Sequence, residues 1–411
     1  MKVKIVRCRE SAPEHKCGVH TVVDRQAQGL VVRGHEIYDV YPRYPGTKTT
    51  DKVFRTHPLV LGKHRFSWPP WVDLIGQWRL RRWLLEINPD TVHCNGTQQT
   101  TDHMIKATRW CEKTLRKMIQ LILQIHTDEE RYSRIYLWWL PRFVLNWILR
   151  IQAKRSRRFA ESVDRVIAPT KNFADRFRRF TGYDGPIEIL PSQAEIFEPM
   201  TDKVRREFEV NFRHHHHLPV SGQQRPLISV IGRVSPVKNL EMTIVVFARI
   251  IEILKNEPAQ DFLLPCLLFV GEEDSGKYRL KLQKRVRELG LKNIVRFTGF
   301  LPYQETAHVH QISAVEIRIS QTESNDMVLV EAMAYGAVPV VIKGTAQDEI
   351  LANPELTCRS DIDEIARLII KILDNAEFKT EMIECNRKRS LLYQDSQAYM
   401  QTLLGLYDLP L

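Results

Sequence analysis

The sequence predicts an α/β protein made of two successive doubly wound, Rossmann-like domains, on three observations. Short apolar runs without strict alternation recur along the chain, the pattern of parallel strands covered on both faces. Amphipathic stretches of helical period separate them, so strands and helices alternate as βαβ units. The charge changes half-way: residues 1–200 carry 34 Lys and Arg against 21 Asp and Glu, a net +13, whereas residues 201–411 carry 26 against 28, a net −2. All eight tryptophans lie in the basic half, between Trp68 and Trp147. A chain of 411 residues also exceeds the usual size of one domain.

In the first half KVKIV (2–6), EIYDVY (36–41), DTVHCN (90–95), IQLILQIH (119–126), RVIAP (165–169) and IEILP (187–191) read as strands. TKNFADRFRRFTG (170–182) reads as a helix with Thr170 as its N-cap and Gly182 as its stop. In the second half LISVIG (227–232), CLLFVG (266–271), NIVRFTG (293–299), AVEIRIS (314–320) and AVPVVI (337–342) read as strands. The polar stretch 193–226 reads as the junction. This gives a first domain over 1–200, a linker over 201–226, a second domain over 227–385, and a C-terminal helix over 386–411 packing back towards the first domain.

Seven scattered cysteines without a Cys-x-x-Cys pair fit reduced thiols in the cytosol better than disulfides or zinc. The start, MKVKIVRCRE, lacks the apolar core of a signal peptide, and no run of 18 apolar residues occurs.

In open parallel sheets, ligands bind past the carboxyl ends of the strands. After LISVI come Gly232 and Arg233, with Lys238 at a helix start. Glycine admits close backbone approach, and Arg and Lys beside helix N–H groups suit anionic oxygens. A solvated charge pair at a turn fits the same residues. Gly271-Glu272 and Gly299-Phe300-Leu301 follow the next two strands, and each also fits an ordinary turn.

QTESNDMVLVEAMAYG (321–336) is more informative. On one continuous helix, Glu323 and Glu331 would point roughly 80° apart, a poor geometry for joint action. Ser320 ends a strand, however, Glu323 falls in the loop, and a helix begins near Asn325–Asp326 and runs to Gly336. The two acids then flank a helix N-terminus, whose N–H groups form an anion site. A phosphate there with hydroxyls on either side describes a nucleoside diphosphate sugar. An exposed Glu323 and a buried, ion-paired Glu331 is the structural alternative.

Together with RGHEIYDVYP, INPDTVH, IHTD, RVIAPT, ILPSQAEIF, IGRVSPVKN, FVGEE, VRFTGFLP and EAMAYGAVPVV, these residues make nearly the whole chain resemble glycosyltransferase family 4, retaining enzymes of the GT-B fold. The resemblance implies two Rossmann-like domains facing a central cleft. It implies that Gly232, Arg233 and Lys238 hold the donor diphosphate, with backbone amides at Asn325, Asp326 and Met327. Glu331 would take the ribose and Glu323 the transferred sugar, with Leu301 against the base. His126 matches the family's histidine beside the anomeric carbon and the acceptor, and Gly18 its N-terminal loop. Asn325-Asp326 replaces the usual Phe-Gly, Cys17-Gly18 replaces a double glycine, and LPSQAEIF lacks a glycine after the strand. A carboxylate at position 326 is costly near donor phosphates unless a sugar hydroxyl or a cation meets it. The implied chemistry is retention by front-face attack, with the departing phosphate helping to deprotonate the acceptor. Arg233, Lys238 and the helix terminus offset the leaving charge. No cofactor is expected beyond a nucleotide-sugar co-substrate, by expectation UDP-linked, and no metal. Asp361-Ile362-Asp363 has a metal-binding Asp-x-Asp form, yet SDIDEIARLI reads as a Ser360 cap with acids in a first helical turn. His214 to His217 read as a surface loop.

Within 131–158, Arg142, Asn146, Arg150 and Lys154 form one i, i+4 row beside apolar faces with Trp147, and residues 68–86 repeat the mix of Trp, Leu and Arg. Such borders suit a segment lying on anionic lipid, although a helix packed on its own sheet has the same period. The expected function is hexose transfer from a nucleotide sugar to a glycolipid or lipid-linked saccharide, by an enzyme peripheral to the cytoplasmic face of a membrane. The alternatives are a soluble or polysaccharide acceptor, an epimerase of the same fold, or a non-catalytic nucleic-acid- or membrane-binding protein. No nucleic-acid partner is expected, because basic charge alone is non-specific.

Overall fold

The apolar runs become parallel strands. The structure, a computed structural model, describes residues 2–9, 18–42, 53–56, 74–219, 225–256 and 263–409. The chain forms two units, one of residues 1–133, 139–192 and 396–411, the other of residues 134–138 and 193–395.

The first unit holds strands β1 (Lys4–Arg9), β2 (Glu36–Pro42), β3 (Val53–Thr56), β4 (Thr91–Asn95), β5 (Gln120–Gln124), β6 (Arg165–Ala168) and β7 (Glu188–Ile189). They pair in parallel in the order β3-β2-β1-β4-β5-β6-β7. Helices α1 (Gly18–Val32), α2 (Leu74–Ile87), α3 (Gln99–Leu115), α4 (Glu129–Tyr136), α5 (Arg142–Glu161) and α6 (Lys171–Thr181) connect them. Alternate strand residues feed two cores. Val6, Cys8, Leu121 and Leu123 enter one, and Ile5 and Ile122 the other, so both faces are covered. Thr170 caps α6 by accepting from Phe173 N–H, and Gly182 N–H closes it onto Arg178 O.

The second unit has helices α7 (Asp202–His215), α8 (Leu240–Asn256), α9 (Gly276–Glu288), α10 (Tyr303–Ile312), α11 (Met327–Tyr335), α12 (Ala346–Leu351), α13 (Ile362–Asp374) and α14 (Ala376–Ser390). Its parallel sheet is made of β8 (Leu227–Ile231), β9 (Cys266–Val270), β10 (Val295–Gly299), β11 (Val315–Arg318), β12 (Val338–Ile342) and β13 (Thr357–Cys358), in the order β10-β9-β8-β11-β12-β13. A final helix, α15 (Ser396–Leu406), belongs to the first unit, placing Tyr399, Met400, Leu403 and Leu404 in its second core.

Several details differ from the sequence reading. The short strands β3 and β13 were not foreseen. The stretch read as a linker holds α7, whose Phe208 and Phe212, four residues apart, lie against the core of the second unit. His214 and His215 therefore end a helix, and only His216 and His217 lie beyond it. Asp361, not Ser360, caps α13 by accepting from Glu364 N–H, while Asp363 pairs with Arg249 at 2.6 Å. The Asp-x-Asp pair is a cap and an ion pair.

Candidate functional site

Strand order in the second unit reverses between β8 and β11, and the loops leaving their carboxyl ends are bonded together. Gln321 N–H donates to Val237 O at 2.8 Å, and Asn239 Nδ2 donates to Ile319 O at 3.3 Å. Lys238 ends a single 3₁₀ turn, Pro236–Lys238, and its Nζ lies 2.5 Å from Glu323 Oε1, both side chains being mostly buried.

Two glycines keep this corner open. Gly232 has φ +134°, and a Cβ there would stand 3.4 Å from Lys238 Cε. Gly271 has φ +140°, and its Cβ would overlap Gly232 O at 2.2 Å, so the loops after β8 and β9 touch at backbone distance.

Arg233 extends half-exposed beside Lys238's loop, with Nη1 3.1 Å from Asp274 Oδ1. A diphosphate held here, as the family resemblance implies, would have to compete with Asp274 for this guanidinium. Asp274→Asn is expected to tighten nucleotide-sugar binding about two- to fivefold at low salt, the scale of an exposed pair. Calorimetry at two salt concentrations checks this, and the gain should shrink at the higher one.

Asp326 is the N-cap of α11, accepting from Leu329 N–H at 3.2 Å, and Gly336 closes the other end. The first-turn N–H groups of Met327 and Val328 have no intrahelical acceptor by construction. Asn325 and Met327 are half-buried in this turn. The Asp326 carboxylate, however, is turned inward and buried. Arg318 on β11 meets both its oxygens, with Nε at 3.1 Å from Oδ2 and Nη2 on Oδ1, and Gln347 donates to Oδ2. Burial opposes ionisation, but the Arg318 and Lys238 charges hold this carboxyl below the usual range. The cation that position 326 requires is thus Arg318, and only the backbone of Asp326 is left for a donor.

Glu331, on the second turn of α11, is buried. Its Oε1 accepts from the Tyr303 hydroxyl at 2.7 Å, and its Oε2 lies 3.6 Å from His310 Nε2. His310 Nδ1 in turn sits 2.8 Å from Glu316 Oε2, and Arg318 Nη1 3.3 Å from Glu316 Oε1. Leu301 is half-buried against the core that also holds Val328.

In the first unit, His126 follows β5 and is buried, its Nε2 3.2 Å from Asn95 Oδ1 at the end of β4. Burial pushes the imidazole down to about 4, so it is neutral near pH 7. Its loop is anchored by Asp128, which caps α4 through Arg131 N–H and pairs with Arg176 at 2.8 Å. Gly18 is the first residue of α1, and Cys17 lies outside the described residues.

Gly232, Lys238, Glu323, Asn325, Asp326, Met327 and Glu331 therefore share one corner of the second unit, whereas His126 and Gly18 belong to the first. Sequence reasoning missed Tyr303, His310, Glu316, Arg318 and Asp274. One signal was present: Glu316 and Arg318 alternate within an apolar strand, and two charges facing one core require partners.

The model of the family described as Glycosyltransferase Family 4 matches residues 17–192, and that of Glycosyl transferases group 1 matches residues 216–389. The alpha-monoglucosyldiacylglycerol synthase of Acholeplasma laidlawii is 22% identical over 340 residues, 79% of this chain and 76% of that relative. Sucrose-phosphate synthase from Thermosynechococcus elongatus superposes with a TM-score of 0.72 at 17% identity, covering 99% and 98% of the two chains. Anabaena HepE in complex with UDP-glucose gives 0.70 at 14% identity, covering 99% of both.

Proposed function

The chain belongs to glycosyltransferase family 4 and has the GT-B fold, and from that premise we propose that it moves a hexose, with retention, from a nucleotide-diphosphate sugar to a hydroxyl of a membrane lipid or lipid-linked saccharide. One observation carries the reading: Lys238, Glu323 and the open first turn of α11 converge at the strand reversal, where an anionic group meets an ammonium and helix N–H groups together.

Cleaving a sugar–phosphate bond leaves charge on the diphosphate. Lys238, Arg233 and the α11 amides offset it, with no metal required. A lysine has three N–H donors, so Lys238 keeps Glu323 in place while binding a phosphate oxygen. Glu323 accepts from hydroxyls of the sugar, and Glu331, held by Tyr303, accepts from the ribose. The departing phosphate takes the acceptor's proton, and no side chain becomes covalently linked. Neutral His126 orients the acceptor hydroxyl. UDP is the favoured nucleotide, the one bound in HepE.

The surface of α5 favours a lipid acceptor. Phe143, Trp147 and Ile151 form an i, i+4, i+8 ridge that is 76%, 63% and 46% exposed, while Leu149, Ser156, Phe159 and Ala160 face inward. Beside that ridge runs the exposed row of Arg142, Asn146, Arg150 and Lys154, and Trp138 and Trp139 precede it, also exposed. The helix thus shows two apolar faces, one for its own core and one turned outward next to basic groups, as an interfacial helix on anionic lipid does. Among the described residues no helix is long and apolar enough to cross a membrane. The enzyme would work at the cytoplasmic face, peripherally, and the relative named alpha-monoglucosyldiacylglycerol synthase supports the glycolipid part of this reading.

Two measurements test this. A donor panel incubated with membrane-lipid extract should yield a lipid heavier by one hexose in mass spectra, and hydrolysis alone or no turnover contradicts the proposal. In flotation with anionic vesicles, Phe143→Ser with Trp147→Ser should cut the bound fraction about tenfold or more, since each buried aromatic contributes about 1.5–3 kcal/mol. Equal flotation of variant and parent contradicts the α5 assignment.

A further inference from the structure

Five ionisable side chains with alternating sign lie in series beneath α11. They run Asp326, Arg318, Glu316, His310 and Glu331, and each is buried. Three elements supply them: β11 gives Glu316 and Arg318, α10 gives His310, and α11 gives the two ends. One end caps the helix terminus assigned to the diphosphate, and the other is the acid assigned to the ribose. We propose that His310, clamped by Glu316, is a positioning residue that aims the Glu331 carboxylate at the donor nucleotide and couples donor binding to its own protonation. The inference rests on the donor site proposed above.

The geometry sets His310 between the two acids. It is fully buried, with Nδ1 2.8 Å from Glu316 Oε2 and Nε2 3.6 Å from Glu331 Oε2. Its ring stacks on Tyr335 of α11 at 5.9 Å between centroids. The remaining ionisable groups act through these two acids, Arg318 at the other oxygen of Glu316 and Tyr303 at the other oxygen of Glu331. Glu331 therefore has a phenol on one oxygen and an imidazolium facing the other. With His310 charged, the series carries one net negative charge, and with His310 neutral it carries two. The second state places an uncompensated carboxylate next to a ligand that is itself a dianion.

Burial lowers the pKa of His310, yet the paired acids outweigh it and raise it to about 9. The charged form therefore stabilises the fold fully below the unfolded value of 6.5, and that stabilisation is lost as pH rises through about 9. Donor affinity follows the same sign: level at neutral pH, then falling by up to about tenfold per pH unit once His310 deprotonates. Glu316→Gln removes the strongest charge holding the proton, so its decline begins at least about one pH unit lower.

The test uses the full chain, calorimetry with UDP-glucose and with GDP-mannose from pH 6 to 10, and NMR titration of imidazole signals. His310→Gln should bind donor about tenfold more weakly at pH 7 and lose the alkaline decline relative to the parent. Ionisation of the nucleobase is common to all variants and cancels in that comparison. Glu316→Gln should move both the His310 titration and the decline downward together, a displacement that a purely structural role would not produce. Donor binding that stays level while His310 titrates overturns the inference but spares the donor site. If neither nucleotide sugar binds at any pH, the donor site fails with it. Where His310→Gln does not fold, Glu316→Gln alone decides.

Discussion

Lys238→Ala is expected to cut turnover at saturating donor by at least about a hundredfold, and Glu323→Gln by a similar factor, the size of effect seen when one preorganised charge-stabilising group is lost. The two side chains lie 2.5 Å apart, so neither variant acts in isolation. In the proposed mechanism, removing the lysine takes an ammonium from the leaving diphosphate and takes from Glu323 the partner that would hold it towards the sugar. Glutamine at 323 keeps the shape and can still meet a hydroxyl, but no longer anchors Lys238 by charge. The double variant should therefore lose much less than the product of the single losses, because the groups work as a unit. Initial rates for the three variants, with melting temperatures as a folding check, decide this. Independent losses would place Lys238 and Glu323 in separate roles.

Arg318→Leu should destabilise the second unit by about 3–5 kcal/mol, the range for removing one partner of a buried ion pair. It would leave Asp326 and Glu316 buried without the cation that meets both. Arg318→Leu with Asp326→Asn should recover a large part of the loss, since asparagine retains the cap on Leu329 N–H and one buried charge disappears with the other. The pH dependence has a definite sign. The Asp326 carboxyl lies below its unfolded value of 3.8, so its stabilising share is present above that value and is lost as pH falls through the lower folded one. Urea unfolding at pH 7 and pH 3 measures both effects.

The parallel sheets were legible because parallel strands read as unbroken apolar runs, and each long one formed where its run lies. The helix at 327–335 was legible from its ends, an acid suited to capping at 326 and a glycine at 336. The short edge strands β3 and β13 were not, since two to four residues carry too little periodicity to register. Helix α7 was hidden by its polar composition, for only Phe208 and Phe212 mark the face that it buries. At the site, residues touching the expected ligand could be placed through strand ends and family likeness. Their supporting partners could not be paired: Glu316 and Arg318 stand out as charges on one apolar strand, but they meet His310 of α10 and the acids of α11 only through packing of separate elements. The carboxylate at 326 shows the difference: the sequence put it beside a phosphate, and the fold turns it inward onto a guanidinium.

The most direct test of the account is a crystal structure of the chain with an intact nucleotide sugar. The diphosphate should lie within about 3 Å of Lys238 Nζ and of the first-turn N–H groups of α11, with ribose hydroxyls on Glu331 and sugar hydroxyls on Glu323. A nucleotide bound away from the β8–β11 corner, with the Lys238–Glu323 pair untouched by it, would contradict it.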